Sequence, residues 1–194
     1  MEIYLVRHGE TNWNKEFRFQ GQTDIPLNEY GVELAQDAAA KLKEIPFDIA
    51  FCSPLCRAVE TAKIILGNRQ IPLTPDKRLM EISFGCKEGC NFLEAEKDPS
   101  DPIYNFLKNP ANYEAPEGAE SFQELYNRSG EFMEQVILPL ENQYRNVLIV
   151  AHGALNRSIL NPIADIPLKD FWQIKLPNCA ISRIRLESGV FSLL

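Results

Sequence analysis

The sequence predicts a three-layer α/β/α fold around a mainly parallel sheet, and two observations carry that prediction. First, short apolar runs with the composition of buried strands alternate with segments of helical period. Second, two of those runs, IYLV at 3–6 and NVLIVA at 146–151, end abruptly in histidine and glycine. These are His8-Gly9, preceded by Arg7, and His152-Gly153, and the chain has only two histidines. In open α/β sheets ligands bind beyond the carboxyl ends of the strands, so both imidazoles are expected at one functional edge. With 194 residues the chain has the length of one domain with a sizeable core, and 1–194 is read as a single unit.

The elements follow in order. After the first strand comes a polar loop over 9–27. Asn28 then has the character of an N-cap for a helix to about Lys43, with Leu34, Ala38 and Leu42 on one face. Phe47–Cys52 reads as a second strand. Ser53-Pro54 is expected to open the next helix, a hydroxyl cap followed by proline at the first helical position. Its stripe is Leu55, Ala58, Val59, Ala62, Ile65 and Leu66, and Gly67 supplies the stop. Ile71–Thr74 reads as a short strand. Residues 90–118 carry four prolines, many acids and the aromatics Phe92, Tyr104, Phe106 and Tyr113. They look too irregular for a core layer and are expected to form an insertion over the sheet edge, a lid. Ser121 and Glu124 form a capping box for a helix to about Leu138, before Pro139. Ala180–Leu186 and Val190–Leu194 read as a hairpin around 187–189.

Bulk properties narrow the function. A net charge of −7 argues against a general nucleic-acid binder and against an anionic membrane surface. A small anionic substrate stays open, because a pocket responds mostly to charges within about 10 Å. No stretch approaches the ~20 apolar residues of a membrane helix. The amino terminus has no signal-peptide pattern, and the five cysteines read as reduced thiols, so a cytoplasmic protein is expected. Cys52/Cys56 and Cys86/Cys90 are spaced C-x₃-C, which leaves a zinc site as a minor alternative. Oligomeric state has no signature in the sequence.

Arg7-His8, Arg57, Glu81 and His152-Gly153 together suit phosphoryl transfer. Guanidinium groups answer phosphate oxygens with paired, charge-assisted hydrogen bonds, and Arg57 lies near a helix start, where free N–H groups favour an anion. A neutral imidazole can act as nucleophile, and neighbouring arginines disfavour its protonated form. A second imidazole can donate to the equatorial oxygens as charge builds. A carboxylic acid can protonate the leaving alkoxide. Glu81 is the candidate, with Glu88 and Glu120 near enough in sequence to compete.

LVRHGET (5–11), GQTDIPLNEYG (21–31), CSPLCRAVETA (52–62), RLMEISFGCKEG (78–89) and VAHG (150–153) resemble, in order, the motifs of the histidine phosphatase superfamily on its phosphoglycerate mutase branch. The resemblance implies a phosphoglycerate mutase-like fold and phosphate monoester hydrolysis through a phosphohistidine on His8. It implies a phosphate pocket of Arg7, Arg57 and His152, and Glu81 as proton donor. It also implies that Asn14, Gln20, Gly21 and Gly153 line the phosphate or substrate. No metal or other cofactor is expected, and the partner is a small phosphorylated metabolite. Where many relatives have Trp-Glu-Gly this chain has Lys87-Glu88-Gly89, which touches the rim of the pocket. One alternative is a bisphosphoglycerate-dependent mutase, although mutases of this branch are longer. Another is a catalytically inactive relative that binds phosphorylated ligands.

Overall fold

Strand β1 (Glu2–Arg7) runs beside β4 (Asn146–Ala151) in parallel, with Leu5 opposite Ile149 and Arg7 opposite Ala151. That pairing in the computed structural model, which describes residues 1–194, places the two His-Gly ends side by side. β2 (Ile49–Cys52) lies between β4 and the edge strand β3 (Leu73–Pro75), both parallel to it. β5 (Ile181–Glu187) and β6 (Val190–Leu193) form the expected hairpin on the other side, with β5 antiparallel to β1. The sheet order is β3-β2-β4-β1-β5-β6. Two of the strands are shorter than their apolar runs. Phe47 stays buried but lies before β2, where the Asp48 carboxylate accepts the N–H groups of Arg145 and Asn146. β3 starts two residues later than expected and ends on Pro75, which an edge strand tolerates.

Alternation along the strands sorts the core into two layers. Tyr4, Val6, Leu148 and Val150 face helices α2 (Glu29–Lys41) and α3 (Cys56–Leu66). Ile3, Leu5, Val147 and Ile149 face α6 (Phe122–Phe132) and α7 (Gly153–Ile163). The layers and the mainly parallel sheet are those the sequence predicts. Asn28 caps α2 by accepting from the Gly31 N–H at 2.7 Å. The Ser121–Glu124 capping box is present, and beyond α6 the chain continues through one i→i+5 turn over Met133–Ile137 and a 3₁₀ turn over Leu138–Leu140.

Two expectations need correction. Ser53 does not cap α3. Its N–H still belongs to the sheet, donating to Val150 O at 3.0 Å, so the chain turns only later and Leu55 becomes the N-cap. The Asp24 carboxylate, from the loop before α2, takes the first free N–H, that of Cys56, at 2.7 Å. The segment 90–118 is not merely a cover. It folds into the short helices α4 (Phe92–Ala95) and α5 (Tyr104–Lys108) and a 3₁₀ turn over Pro110–Asn112. Ala95, Ile103 and Phe106 are buried in the main core. Phe106 packs against Phe84, Tyr113, Phe122 and Trp172, with ring centroids 4.9–5.3 Å apart. The prolines and acids hide this apolar payload from a composition reading. The remaining short helix, α1 (Asn12–Lys15), is held by a Thr11–Asn14 capping box.

Leu148, fully buried at the centre of β4, tests the layered core. Leu148→Ala is expected to cost about 2–5 kcal/mol in urea unfolding with the m value unchanged. A loss below about 1 kcal/mol would contradict the assignment of this strand to the centre.

Candidate active site

A cavity of about 250 Å³ opens at the carboxyl edge of the sheet, and Arg7, His8, Asn14, Gln20, Gly21, Arg57, Glu81 and Gly153 all line it. His152 adjoins the cavity without lining it: it is fully buried, its ring centroid 5.1 Å from that of His8. The nine candidate positions are thus gathered in one place, eight on the wall and one behind it.

Each side chain is set by its own element. β1 delivers Arg7 and His8. The His8 imidazole is tied back, with Nδ1 2.6 Å from the Gly9 carbonyl. A carbonyl can only accept, so in the neutral ring Nδ1 carries the proton and Nε2 keeps its lone pair. Gly9 approaches the second layer so closely that a Cβ there would lie 2.4 Å from Gly31 O. Thr61 of α3 holds the same turn, its hydroxyl accepting from Gly9 N at 3.0 Å and donating to Arg57 O at 2.7 Å. Asn178 closes it from the other side, donating to His8 O and Gly9 O at 3.1 Å.

Arg57 is fully buried, the second residue of α3, and donates to Gly21 O at 2.8 Å and Thr23 O at 2.9 Å. Arg7 donates to Leu176 O at 2.6 Å. The Nε atoms of both arginines and both ring nitrogens of His152 are buried without a protein partner. Buried polar groups are normally satisfied, so these spare groups mark a place built for an acceptor-rich ligand. Gly21 adopts φ +53°, and a Cβ there would lie 2.0 Å from a Glu88 carboxylate oxygen. That carboxylate holds the loop by accepting from Gln22 N at 2.9 Å and Thr23 N at 2.8 Å. Glu88 is therefore a loop clamp, and Glu120 is paired with Arg128 at 2.5 Å. Of the three candidate acids only Glu81 lines the cavity. Its oxygens accept from Ala154 N at 3.1 Å and Leu155 N at 3.0 Å, at the start of α7.

Burial, then the charges of Arg57 and Arg7, hold the His8 imidazole well below its ordinary pKa. Burial, then Arg57 and His8, do the same to His152. Both rings are therefore neutral at pH 7.

Sequence reading missed several residues of the site, of which Arg157, Trp172 and Asn178 matter most to its geometry. Arg157 lines the cavity one turn along α7 from Gly153, donating to Gly153 O and Ile174 O at 2.9 Å and lying 5.0 Å over the Trp172 ring. Its signal was available: it is the one charged residue between His152 and Ile163. Trp172 lines the wall, and Asn178 supports His8 from a loop with no motif to announce it. No group of three or more histidine, cysteine or acidic side chains is arranged to hold a metal ion. Cys52 is buried in β2, and Cys86 and Cys90 are exposed, so the two C-x₃-C pairs form no zinc centre. No helix is long and apolar enough to cross a membrane.

Known proteins with this architecture share more than the fold. The family model of the histidine phosphatase superfamily, branch 1, matches residues 3–194. A Hydrogenobacter thermophilus protein named "Putative phosphoserine phosphatase 2" is 36% identical over 188 residues, covering 95% of this chain and 89% of that one. An Escherichia coli protein named as a probable phosphoglycerate mutase, GpmB, is 32% identical over 192 residues, covering 98% and 87%. The structure of the alpha-ribazole phosphatase from Shigella flexneri superposes with a TM-score of 0.88 at 27% identity, over 100% of this chain and 95% of that one. With the family model spanning almost its entire length, the chain belongs to the histidine phosphatase superfamily, branch 1.

Proposed function

We propose that this protein hydrolyses small phosphate monoesters through a phosphohistidine on His8. One observation carries the reading: a neutral imidazole, anchored through Nδ1, faces a cavity set with guanidinium groups that have donors to spare. In this scheme Nε2 of His8 forms a bond to phosphorus as the ester oxygen leaves. Arg7, Arg57 and an N–H of His152 donate to the equatorial oxygens, where charge accumulates. Glu81 gives a proton to the leaving oxygen. A water then attacks the phosphohistidine, Glu81 takes its proton, and inorganic phosphate departs with His8 restored.

The Escherichia coli relative's name favours a second reading, a mutase in which an acceptor hydroxyl rather than water takes the phosphoryl group. The half-buried Phe92, Leu107 and Trp172 and the exposed Arg18 line the same cavity as His8, so water has a route to a phosphorylated ring, which supports hydrolysis.

A panel of phosphorylated metabolites offered to the purified protein tests the proposal. At least one monoester is expected to release inorganic phosphate, and His8→Ala is expected to lower that rate by about 10³-fold or more with folding retained. An His8→Ala protein as active as the parent would remove the imidazole from the chemistry.

The protonation state of the nucleophile is checked separately. With only two histidines, ¹⁵N NMR resolves each ring. Both folded-state pKa values lie below 6.5, so both rings are expected to stay neutral as the pH falls from 7.5 through 6.5 and to protonate only further down. A midpoint at or above 6.5 for His8 would contradict the electrostatic account.

A further inference from the structure

The cavity is lined by two unlike sets of side chains. Part of its wall is charged: Arg7, Arg57 and Arg157 share it with one acid, Glu81, while both histidines are neutral. The rest of its wall is largely apolar, made by Phe19, Phe84, Phe92, Phe106, Leu107 and Trp172. Glu81 gives up a proton in the proposed step, so the guanidiniums are the charges set against the −1.5 to −2 that a phosphate monoester carries near neutral pH.

Arg157 is the group whose assignment decides the matter. A Cβ on Gly153 would lie 3.6 Å from Arg157 Nη1 and 3.6 Å from Arg7 Cζ, so the two guanidiniums flank the same glycine at the start of α7. Burial, and after it the charge of Arg7, lowers the Arg157 pKa to about 10. Its Nε and Nη1 are held by backbone carbonyls, and Nη2 has no protein partner. The fourth cation of the lining, Arg18, is exposed and pairs with the equally exposed Glu16 at 2.7 Å and with Gly89 O at 3.2 Å.

Resting on the phosphatase reading above, we propose that the cavity selects phosphate monoesters whose alcohol portion is uncharged and apolar, with Arg157 serving the phosphoryl group rather than a second anion. An apolar ring or short chain fits a wall of aromatic edges and faces, and a cavity of about 250 Å³ holds only a compact one. A carboxylate placed against Phe84 and Phe106 would lose its water and gain no partner there.

The experiment compares benzyl phosphate with O-phosphoserine and 3-phosphoglycerate, all esters of alkyl alcohols. The kcat/KM for benzyl phosphate is expected to exceed both carboxylated esters by tenfold or more. Arg157→Met is expected to lower all three by a common factor of about 10–100, the loss of one charge-assisted hydrogen bond to phosphate. A loss confined to the carboxylated esters overturns the assignment of Arg157. Leu107→Lys, at a half-buried apolar position of the wall, adds a second test. It is expected to shift the preference toward O-phosphoserine by about fivefold, the worth of a partly exposed ion pair, and an unchanged ratio counts against the apolar wall. Turnover led by the carboxylated esters overturns this inference alone. Turnover of no ester overturns the phosphatase reading and this inference with it.

Discussion

The hydrogen bond from His8 Nδ1 to the Gly9 carbonyl, at 2.6 Å, is the constraint on which the rest of the site depends. It fixes the tautomer, aims Nε2 away from the backbone, and does so at the end of a buried strand that cannot shift without disturbing both core layers. A single bond would leave the ring free to swing. The turn is therefore gripped from three sides: Thr61 takes the Gly9 N–H, Asn178 donates to the His8 and Gly9 carbonyls, and Gly31 of α2 packs against Gly9 with no room for a side chain.

The charged groups are held with equal economy, and most of them do two jobs. Arg57 ties the loop at 21–23 to the start of α3 through two carbonyls, yet keeps Nε unpaired. Glu81 lines the cavity while accepting two N–H groups at the start of α7. Arg157 links Gly153 to the segment carrying Ile174 and stacks on Trp172. Charges introduced for binding thereby also satisfy loop and helix-end groups that would otherwise stay unpaired. The cations in turn keep both imidazoles neutral, so electrostatics and scaffolding reinforce one another.

How much of this could be read from the residues varies with the kind of signal. Arg7, His8 and His152 are legible because an abrupt change from β-branched apolar residues to polar ones marks a strand end, and strand ends are where parallel sheets bind ligands. Arg57 is legible from its place near a helix start, although the local rule names the wrong cap. Ser53 has the right side chain but is still engaged by the sheet, and a carboxylate 32 residues upstream, Asp24, does the capping. Helix α7 leaves no such mark. Residues 153–161 are buried all round, so no polar face reveals a period, and Arg157 looks like an interruption when it is part of the site. The segment 90–118 misleads in the opposite sense: its prolines and acids dominate the composition, while Ile103 and Phe106 complete the core beneath the cavity wall.

The site of covalent attachment tests the central claim most directly. Brief exposure of ¹⁵N-labelled protein to a turned-over monoester, followed by ³¹P–¹⁵N NMR, reports which ring nitrogen of which histidine carries phosphorus. The account predicts a phosphoryl group on Nε2 of His8 that disappears in water without an acceptor. Phosphorus on Nδ1, on His152, or turnover with no labelled ring at any time would contradict it.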